Sequence, residues 1–401
     1  MSAVEVVVVG GGVAGGATAC ALGARGLAVA VIERKRTEST VNRGEVLHGQ
    51  AQALLERWGI WPDFEAAVSE RLQRYRIHQQ GLGTVADFDQ RGDVVVPHPV
   101  IEELLLSSAE SKFNARVVRG AAARDLVLDG GRVVGVRARA ADGDVDVRAA
   151  LVVGADGSGS FVRSCLKIAC PATPYEHELC YAEAPRMQDM RGNEIYLGRR
   201  GFVMRRPIGP DRMRVSFATR QGEGARLLRL SEDDLADYLG QRWPVFHGWR
   251  INREGRHVYT LTRQHADEYW RPGAVLVGDA AHVNHPATGT GMHMAMEDAE
   301  ALAEQVTDAV SSPLRLDAAL GSYQEDRRPK VAANIARTHE VASFVMTPGV
   351  RAAVRRFAVL GTFKGLRAGR KIPLLALPSF SVPAVLRAAF GRRASGVGVY
   401  R

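Results

Sequence analysis

Near the N-terminus, the pattern of apolar residues and glycines predicts a strand, a tight turn, a helix and a second strand. Glu5–Val9 is a short, mostly apolar run that leads into three consecutive glycines. Ala14–Ala24 is compatible with a helix, and Leu27–Ile32 is a second strand-like run closed by Glu33. This order within about 30 residues is typical of a βαβ unit, in which the two strands are parallel.

Further along, the hydrophobic pattern separates a region of buried strands from an antiparallel region. The runs Asp144–Arg148 and Leu151–Val153 predict two strands, and Ala274–Val277 predicts another before a long helix over Met292–Val310. The middle of the chain differs, because three alternating runs joined by glycine-containing turns predict an antiparallel meander. These three runs are Asn193–Leu197, Phe202–Ile208 and Met213–Thr219.

The composition narrows the class of protein. With 401 residues, 46% of them hydrophobic and 24% charged, the chain has the size of two or three ordinary globular domains. Its apolar runs are shorter than the ~18 residues needed to span a membrane, and its start lacks the basic and apolar regions of a signal peptide. Four cysteines without a CxxC spacing favour a reducing compartment. We therefore expect a cytoplasmic protein.

Charge is distributed unevenly along the chain. Of the net charge of +9, the segment from Val341 to the C-terminus contributes eleven Lys and Arg residues and no Asp or Glu, so the preceding residues sum to −2. A nearly neutral body disfavours nucleic acid as a partner. The basic tail leaves two interpretations open: contact with a membrane surface or an acidic partner, or a solvated basic helix packed on the body.

The first predicted strand ends in Gly10-Gly11-Gly12-Val13-Ala14-Gly15, a G-x-G-x-x-G sequence that opens the helix. In a dinucleotide-binding turn, Gly10 permits the tight turn, Gly12 lets a pyrophosphate approach the backbone, and Gly15 lets the helix pack on the strand. The helix N-terminus then offers N–H groups to the phosphates. A carboxylate at Glu33 accepts ribose hydroxyls and repels a 2′-phosphate, which favours FAD or NAD over NADP. The expected contacts are Gly10, Gly12, Val13, Ala14, Gly15, Glu33 and Arg34.

Two further glycine-and-aspartate segments follow predicted strands. Gly154-Ala155-Asp156-Gly157 continues to Arg163, and Gly278-Asp279-Ala280-Ala281-His282 is followed by Pro286, Gly289 and Gly291. Together with the first motif, these segments resemble, in order and spacing, the single-component (class A) FAD-dependent aromatic monooxygenases of the p-hydroxybenzoate hydroxylase type. The resemblance runs from about Val4 to Pro329. Its motifs are specific for the fold and the cofactor, but not for a substrate.

The resemblance implies an α/β protein of two domains. A Rossmann-like FAD-binding domain with a parallel sheet is expected over residues 1–75, 97–165 and 273–345. An inserted substrate-binding domain with a mostly antiparallel sheet is expected over 76–96 and 166–272. Residues 346–401 are expected to form a basic, helical C-terminal region.

The resemblance also implies roles for individual residues. Asp279 would bind the ribityl chain, and Gly289–Met292 would place helix N–H groups against the pyrimidine end of the flavin. Arg43 would counter the pyrophosphate charge, while Asp156 and Arg163 would brace the turn near it. The implied cofactor contacts are Arg43, His98, Asp156, Asp279, Pro286, Gly289, Gly291 and Met292. Two positions depart from the family pattern: His293 stands where Asn is usual, and His98 where Arg or Gln is common.

The implied activity is that of a monooxygenase. NADPH or NADH would act as a transient reductant of FAD, because the sequence contains a single recognisable dinucleotide-binding unit. Dioxygen would then form a flavin C4a-hydroperoxide that hydroxylates an aromatic or phenolic small molecule. The cofactor supplies this chemistry, so no catalytic side chain is assigned. Epoxidation, or reduction of an isoprenoid, by a member of the same superfamily acting on a lipophilic substrate stays open as the alternative.

Substrate and metal sites are less sharply indicated. Six residues of the predicted meander are candidates for a pocket wall that faces the flavin, or else for the core of the sheet: Tyr196, Phe202, Met204, Met213, Val215 and Phe217. His282 and His285 have an HxxH spacing, but a third ligand is not evident and no metal is expected. The expected partners are a small aromatic molecule and dioxygen, without nucleic acid, and the protein is expected to be a monomer or a homodimer.

Overall fold

The computed structural model describes residues 4–37, 45–141 and 143–367. The chain divides into two compact units. The first unit consists of Met1–Val68, Val96–Thr173 and Arg263–Ile335, and the second of Ser69–Val95, Pro174–Thr262 and Ala336–Arg401.

This division differs from the expected domains mainly near the C-terminus. The expected boundaries after residues 75, 96, 165 and 272 lie near boundaries of the two units. The described part of the expected separate region 346–401, up to residue 367, instead groups with the second unit, because the helix Val350–Arg367 packs on two strands of that unit. Residues 368–401 lie outside the described residues. The assignment of cofactor to one domain and substrate to the other stays a prediction.

The secondary structure comprises the following elements in chain order. The strands are β1 (Val4–Val9), β2 (Val29–Glu33), β3 (Val46–Leu47), β4 (Glu70–Arg71), β5 (Arg74–Gln79), β6 (Gly83–Asp89), β7 (Val94–Val95), β8 (Arg116–Arg119), β9 (Ala122–Asp129), β10 (Arg132–Ala140), β11 (Gly143–Gly154), β12 (Ala172–Pro185), β13 (Gly192–Gly198), β14 (Gly201–Pro207), β15 (Arg212–Arg220), β16 (His257–His265), β17 (Trp270–Arg271), β18 (Ala274–Leu276) and β19 (His282–Val283). The helices are α1 (Val13–Gly23), α2 (Gly49–Arg57), α3 (Trp61–Ala66), α4 (His98–Phe113), α5 (Phe161–Cys165), α6 (Gly224–Leu227), α7 (Glu232–Gly240), α8 (Gly291–Val306), α9 (Pro313–Met346) and α10 (Val350–Arg367).

The first unit is built on a sheet of order β17-β18-β11-β1-β2-β8. The pairs from β18 through β8 are parallel, and α1 connects β1 to β2, so the predicted βαβ unit is confirmed. Val6–Val9 are at most 4% exposed, as is typical of a central parallel strand covered on both faces. The carboxyl ends of β1, β11 and β18 therefore lie side by side at one edge of the sheet.

One strand of this unit replaces two predicted strands. Asp144–Arg148 and Leu151–Val153 both belong to β11. The first half of β11 alternates between exposed and buried positions, because it forms an antiparallel hairpin with β10. Its last four residues are all buried, because they lie between β1 and β18. Because the burial pattern changes from alternating to fully buried within β11, the sequence predicted two strands where the structure has one.

The second unit contains a sheet of order β16-β12-β15-β14-β13-β5-β6. The predicted meander is confirmed, since β13, β14 and β15 pair in antiparallel fashion. Strand β5 pairs with β13 in parallel, an arrangement that the sequence pattern does not indicate. One face of the sheet packs against α7 and the turn that follows it, and together they form the hydrophobic core of this unit.

The C-terminal part of the described chain is helical. The long helix predicted over Met292–Val310 is confirmed as α8, and α9 continues for 34 residues with Pro329 inside it. Within residues 4–37, 45–141 and 143–367, none of the helices has both the length and the hydropathy required to cross a bilayer.

Candidate functional site

The three sequence motifs meet at the carboxyl edge of the first unit's sheet. The amide of Ala155 donates to the carbonyl oxygen of Val9 at 2.8 Å, and the amide of Val277 donates to that of Gly154 at 3.0 Å. The ends of β1, β11 and β18 are thus joined by hydrogen bonds where each strand enters its motif. In parallel α/β sheets, ligands bind at this edge.

Glycine is required in these turns because backbone atoms approach closely. Gly10 has a φ of +104°, and a Cβ on Gly15 would lie 1.8 Å from the carbonyl oxygen of Gly10. Gly278, with a φ of +56°, would place a Cβ 2.7 Å from the Cβ of Ala14. The predicted reasons for glycine at these positions are therefore confirmed: Gly10 permits the tight turn, and Gly15 permits close packing of the helix. Gly278 brings the third motif against the helix that begins with the first.

The N-terminus of α1 has the features of an anion-binding turn. Its N-cap is Gly12, where no side chain caps the helix, and a Cβ there would meet only the Oε1 atom of Glu102, at 3.4 Å. Val13 and Ala14 begin the helix at this open end. Unsatisfied N–H groups at such an end attract phosphate. This cradle fits the pyrophosphate of a dinucleotide, which is the contact predicted for these residues.

Glu33 is fixed at the end of β2 by two backbone amides. Its Oε2 atom accepts from the amide of Gly11 at 2.5 Å, and its Oε1 atom accepts from that of Lys35 at 2.6 Å. The carboxylate borders a shallow open depression, which Pro99 and Arg119 also line. A carboxylate held here can accept sugar hydroxyls, so the donor set fits the predicted ribose contact. The contact itself stays a prediction, as does that of the exposed Arg34.

Asp156 and Arg163 hold the second and third motifs in shape. Asp156 accepts from the amides of Phe161 and Val162 at 2.7 and 3.1 Å, and so caps the start of α5. Arg163 donates to the carbonyl oxygen of Ala280 at 2.7 Å, which links the second motif to the third. Both residues therefore brace the turns, as the resemblance implies. Whether Asp156 also contacts the cofactor is untested.

The loop from Pro286 to Met292 is held by two asparagines that sequence reasoning missed. Asn284 donates through Nδ2 to Thr290 Oγ1 at 3.0 Å and to Asn334 Oδ1 at 3.3 Å. The carbonyl oxygen of Thr290 in turn accepts from the amide of Met294 at 2.9 Å, inside the first turn of α8. Gly289 has a φ of +65°, and Gly291 begins α8. The cofactor contacts predicted for Pro286, Gly289, Gly291 and Met292 stay predictions.

Behind the third motif lies a buried ionic cluster. The Oδ2 atom of Asp298, a fully buried residue, lies 2.6 Å from His282 Nε2 and accepts from the amide of Gly278 at 3.0 Å, while Arg327 Nε donates to Oδ1 at 2.8 Å. Burial by itself raises the pKa of Asp298, but His282 and Arg327 outweigh it and hold the pKa below its ordinary value. The cluster therefore keeps a carboxylate charge directly under the backbone of the turn. Asp298 lies on α8 and Arg327 on α9, both well after the third motif in the sequence. No short sequence motif therefore indicated this cluster.

The same contacts give structural roles to the HxxH histidines. His282 contacts Asp298, and Nδ1 of His285 accepts from the amide of Ala287 at 3.0 Å. In the described part of the chain, no group of three or more His, Cys, Asp or Glu residues is arranged to hold a metal ion. The expectation of no metal stays a prediction for the chain as a whole.

The structure places two more of the predicted cofactor residues, Asp279 and His98, whose contacts with the cofactor stay predictions. Asp279 is exposed in the turn after β18, where the resemblance places the ribityl chain. His98 is buried at the start of α4, and its Nε2 atom lies 3.4 Å from Glu102 Oε1. His293 pairs through Nε2 with Glu297 at 2.9 Å. Arg43 lies outside the described residues.

The six candidate pocket residues do not share one wall, which corrects the prediction. Directly paired residues share a face of a sheet, and the register pairs Val203 with Phe217 and with Tyr196. Four of the six therefore lie on the face that packs against α7. Of these, Met213, Val215 and Phe217 have no exposed surface, and Tyr196 is partly buried. Phe202 and Met204 point to the opposite face. A one-residue offset between neighbouring strands produces this division.

The opposite face carries polar groups among apolar ones. Ser216 pairs with both Met204 and Tyr181 across the strands, is 1% exposed, and its Oγ has no hydrogen-bond partner among the described residues. Beside it, the buried Arg214 donates to Glu183 Oε1 at 3.0 Å. A buried hydroxyl without a partner is costly.

The chain is similar in sequence to known proteins. A family model described as "FAD binding domain" matches residues 3–338. Ubiquinone hydroxylase UbiL of Rhodospirillum rubrum is 30% identical over 81% of this chain and 78% of its own length. The 3-demethoxyubiquinol 3-hydroxylase of Escherichia coli is 26% identical over 77% of this chain and 80% of its own length.

Solved structures share the fold. PqsL of Pseudomonas aeruginosa, solved in complex with 2-aminobenzoylacetate, superposes with a TM-score of 0.79 at 24% identity, over 90% of this chain and 100% of that one. At this level of identity, the likeness concerns the fold alone. It confirms the predicted α/β architecture with parallel and antiparallel sheets.

Proposed function

The chain belongs to the FAD binding domain family and is an FAD-dependent monooxygenase, and we propose that its substrate is an electron-rich aromatic, phenolic small molecule that it hydroxylates with NAD(P)H and dioxygen. The observation that carries the proposal is the meeting of the ends of β1, β11 and β18 at one sheet edge. Glycine turns, a fixed carboxylate and two helix N-termini stand at that edge.

Each of these groups has a distinct task. The N-terminus of α1 binds the pyrophosphate, Glu33 accepts ribose hydroxyls, and Asp279 accepts hydroxyls of the ribityl chain. The first turn of α8 would hold the ring of bound FAD, where its N–H groups would stabilise negative charge. Asp298 fixes the backbone of Gly278 beneath this arrangement. Bound FAD supplies the redox chemistry between NAD(P)H and dioxygen.

Two observations support the substrate class. The relatives named above are hydroxylases of ubiquinone-type compounds by name, and YhjG of Bacillus subtilis is named as an uncharacterized aromatic compound monooxygenase. In the second unit, the sheet face with Phe202, Met204 and Tyr181 combines apolar and aromatic side chains with the Arg214–Glu183 pair and the hydroxyl of Ser216. An aromatic ring with one hydroxyl or carbonyl group matches such a face.

The alternative is epoxidation, or reduction of an isoprenoid double bond, on a lipophilic substrate. Both reactions would use the same cofactor site. The two reactions differ from hydroxylation in their products. An epoxidase adds oxygen to a double bond, while a reductase consumes NAD(P)H without dioxygen.

The proposal is tested by turnover with a panel of phenols, quinols and polycyclic aromatics. We expect yellow protein that releases FAD, and an NADH or NADPH oxidation rate that rises with an aromatic substrate. With ¹⁸O₂, one labelled oxygen atom should enter an aromatic ring. Label in an aliphatic epoxide, or a reduced double bond without oxygen uptake, would refute aromatic hydroxylation in favour of the alternative.

A pair of matched variants tests the cofactor site separately. Asp279→Ala should lower FAD occupancy, because a polyol acceptor is removed, whereas Asp129→Ala, at an equally exposed aspartate of the same unit, should leave it unchanged. Equal flavin content in both variants would contradict the role of Asp279.

We also propose that the protein is cytoplasmic, because its four cysteines are all free. We further propose that it is a monomer or a homodimer.

A further inference from the structure

A second carboxylate lies against the dinucleotide-binding turn of the first unit. A Cβ at Gly12, the N-cap of α1, would lie 3.4 Å from the Oε1 atom of Glu102, which belongs to α4. Glu102 also lines the shallow depression that Glu33 borders. Because α4 is far from the glycine motif in the sequence, the motif itself gives no sign of this carboxylate.

Two basic side chains lie beside Glu102. Its Oε2 atom is 3.7 Å from Nζ of Lys35, and its Oε1 atom is 3.4 Å from Nε2 of His98. The side chains of His98 and Glu102 are only 10% and 18% exposed, so water and salt screen this pair incompletely. An imidazole ordinarily changes its charge between pH 5 and pH 8, whereas an ammonium group does not. The net charge beside Gly12 therefore depends on the protonation of His98.

The other charged groups around this position are engaged elsewhere. Helix α1 packs on α4 but carries no charged residue. Glu103 of α4 pairs with Arg119 of β8 at 2.8 Å, and Glu33 accepts from two backbone amides at the end of β2. Among the described residues, Glu102 is the only carboxylate within 4 Å of the Cβ position at Gly12. Its charge is therefore the one that a ligand packed on Gly12 meets first.

We propose that Glu102 weakens the binding of FAD by charge repulsion, and that His98 controls the strength of this repulsion. The inference rests on the proposed place of the pyrophosphate at the N-terminus of α1. A pyrophosphate that packs on Gly12 would lie beside the Glu102 carboxylate, and like charges at such short distances repel. Protonated His98 offsets the carboxylate charge, whereas neutral His98 does not. The protein therefore holds FAD more tightly at about pH 6 than at about pH 8.

Release of FAD from the holoprotein measures the repulsion without any turnover. The holoprotein is diluted and brought to equilibrium, and the fluorescence of free FAD after ultrafiltration gives the dissociation constant. At pH 8 and low salt, Glu102→Gln should hold FAD about fivefold more tightly, because the amide keeps the size of the side chain and removes its charge. High salt should reduce this difference. Unchanged binding, or weaker binding as expected if Glu102 accepts a cofactor hydroxyl, would overturn the proposal.

The matched control is the neighbouring residue. Glu103 lines the same depression but pairs with Arg119, so Glu103→Gln should change the dissociation constant by less than about twofold. Equal tightening in both variants would mean that the net charge of the depression acts, which would refute a specific effect of Glu102. Native melting temperatures establish that the variants are folded. A native protein that binds no FAD at all would instead contradict the proposed function.

The pH dependence of FAD release tests His98. From pH 8 to pH 6, the native protein should gain about threefold or more in affinity. His98→Gln should lose this dependence, because glutamine does not titrate, whereas His247→Gln, at an exposed histidine of the second unit, should keep it. Another histidine, His48, lies near the cofactor loop, since its Nε2 atom is 3.5 Å from the Cβ position at Gly289. A pH dependence that persists in His98→Gln would point to such a group and refute the role of His98.

Discussion

The two units build their candidate sites in different ways. In the first, backbone groups at neighbouring strand ends form the site, and glycines make room for them. In the second, charged side chains on adjacent strands pair across the sheet, as with Glu194 and Arg205 at 2.5 Å and Glu183 and Arg214 at 3.0 Å. Adding a single Cβ atom to a glycine disrupts a site that is built from backbone groups. A site built from paired side chains depends instead on the register of the strands.

The largest effect is expected where the backbone packs most closely. In Gly15→Ala, the new Cβ would lie 1.8 Å from the carbonyl oxygen of Gly10, so α1 has to move away from β1. We expect a loss of more than about 4 kcal/mol in the free energy of unfolding and little bound flavin. Denaturant unfolding and the visible absorbance of purified protein measure these two quantities.

A second glycine gives the control for that substitution. Gly159 lies within the second motif, in the loop that leads to α5, has an ordinary φ, and has open space where a Cβ would be. Gly159→Ala should therefore leave both stability and flavin content unchanged. If Gly15→Ala behaves like Gly159→Ala, the close approach of α1 to the first turn is not essential, and the contrast between the two units weakens.

The next effect concerns the second unit and the pocket prediction. Phe217 has no exposed surface and packs in the core between the sheet and α7. Phe217→Ala should lower the free energy of unfolding by about 3–5 kcal/mol, through lost burial and a cavity. Its KM for the substrate, measured at a temperature where the variant is folded, should change little. A raised KM with native stability would restore Phe217 as a pocket residue.

The sequence predicted the first unit well because its signals are local. The run into Gly10, the helix and Glu33 lie within one βαβ unit, and steric needs restrict Gly10 and Gly15 to glycine. Asp298 was missed because it lies twenty residues after Gly278, on a helix with other acidic residues. Nothing in such a pattern says which carboxylate turns inward.

The second unit was predicted less completely for a related reason. Alternation along β15 correctly places Met213, Val215 and Phe217 on one face, but it does not say which residues of β14 share that face. The register assigns Val203 to it, and so turns Phe202 and Met204 away. Likewise, β5 pairs in parallel with β13 although more than a hundred residues separate them. Such pairings depend on the whole sheet.

A smaller effect is expected from a carboxylate that joins helices of the first unit. Glu300 accepts from Arg25 and Arg57 at 2.9 Å and from the indole of Trp58 at 2.7 Å. Burial raises its pKa, but these three hydrogen bonds outweigh burial and lower the pKa from 4.5 to about 2. Glu300→Gln should cost about 2 kcal/mol at neutral pH, since Arg57 is largely exposed.

The pH dependence of that loss follows from the sign of the shift. Because the pKa is lower in the folded state, the stabilisation is complete above about pH 4.5 and disappears as the pH falls towards 2. The difference between native protein and variant in urea unfolding should shrink over this range. Glu304→Gln, at a neighbour that is 52% exposed, should change stability by less than about 0.5 kcal/mol at any pH. A constant difference for Glu300→Gln would exclude ionisation as the cause.

The smallest change in stability, and the sharpest test of the second unit, is expected at Ser216. Its buried Oγ has no partner among the described residues, so the hydroxyl contributes a desolvation cost without a hydrogen bond. Ser216→Ala should leave the free energy of unfolding unchanged or raise it by up to about 1 kcal/mol. A structural serine would show the opposite sign. Thermal and urea unfolding of the holoprotein give this value.

Kinetics of the same variant then separate a ligand-binding hydroxyl from a mere packing defect. If Ser216 bonds a polar group of the aromatic substrate, Ser216→Ala should lower kcat/KM about tenfold, mainly through a higher KM. Ser322→Ala, where an exposed hydroxyl donates only to its own helix, should leave both constants unchanged. A stable Ser216→Ala enzyme with native KM would show that this sheet face does not recognise the substrate through Ser216. The polar site of the second unit would then have to be sought at the arginine pairs of the same sheet.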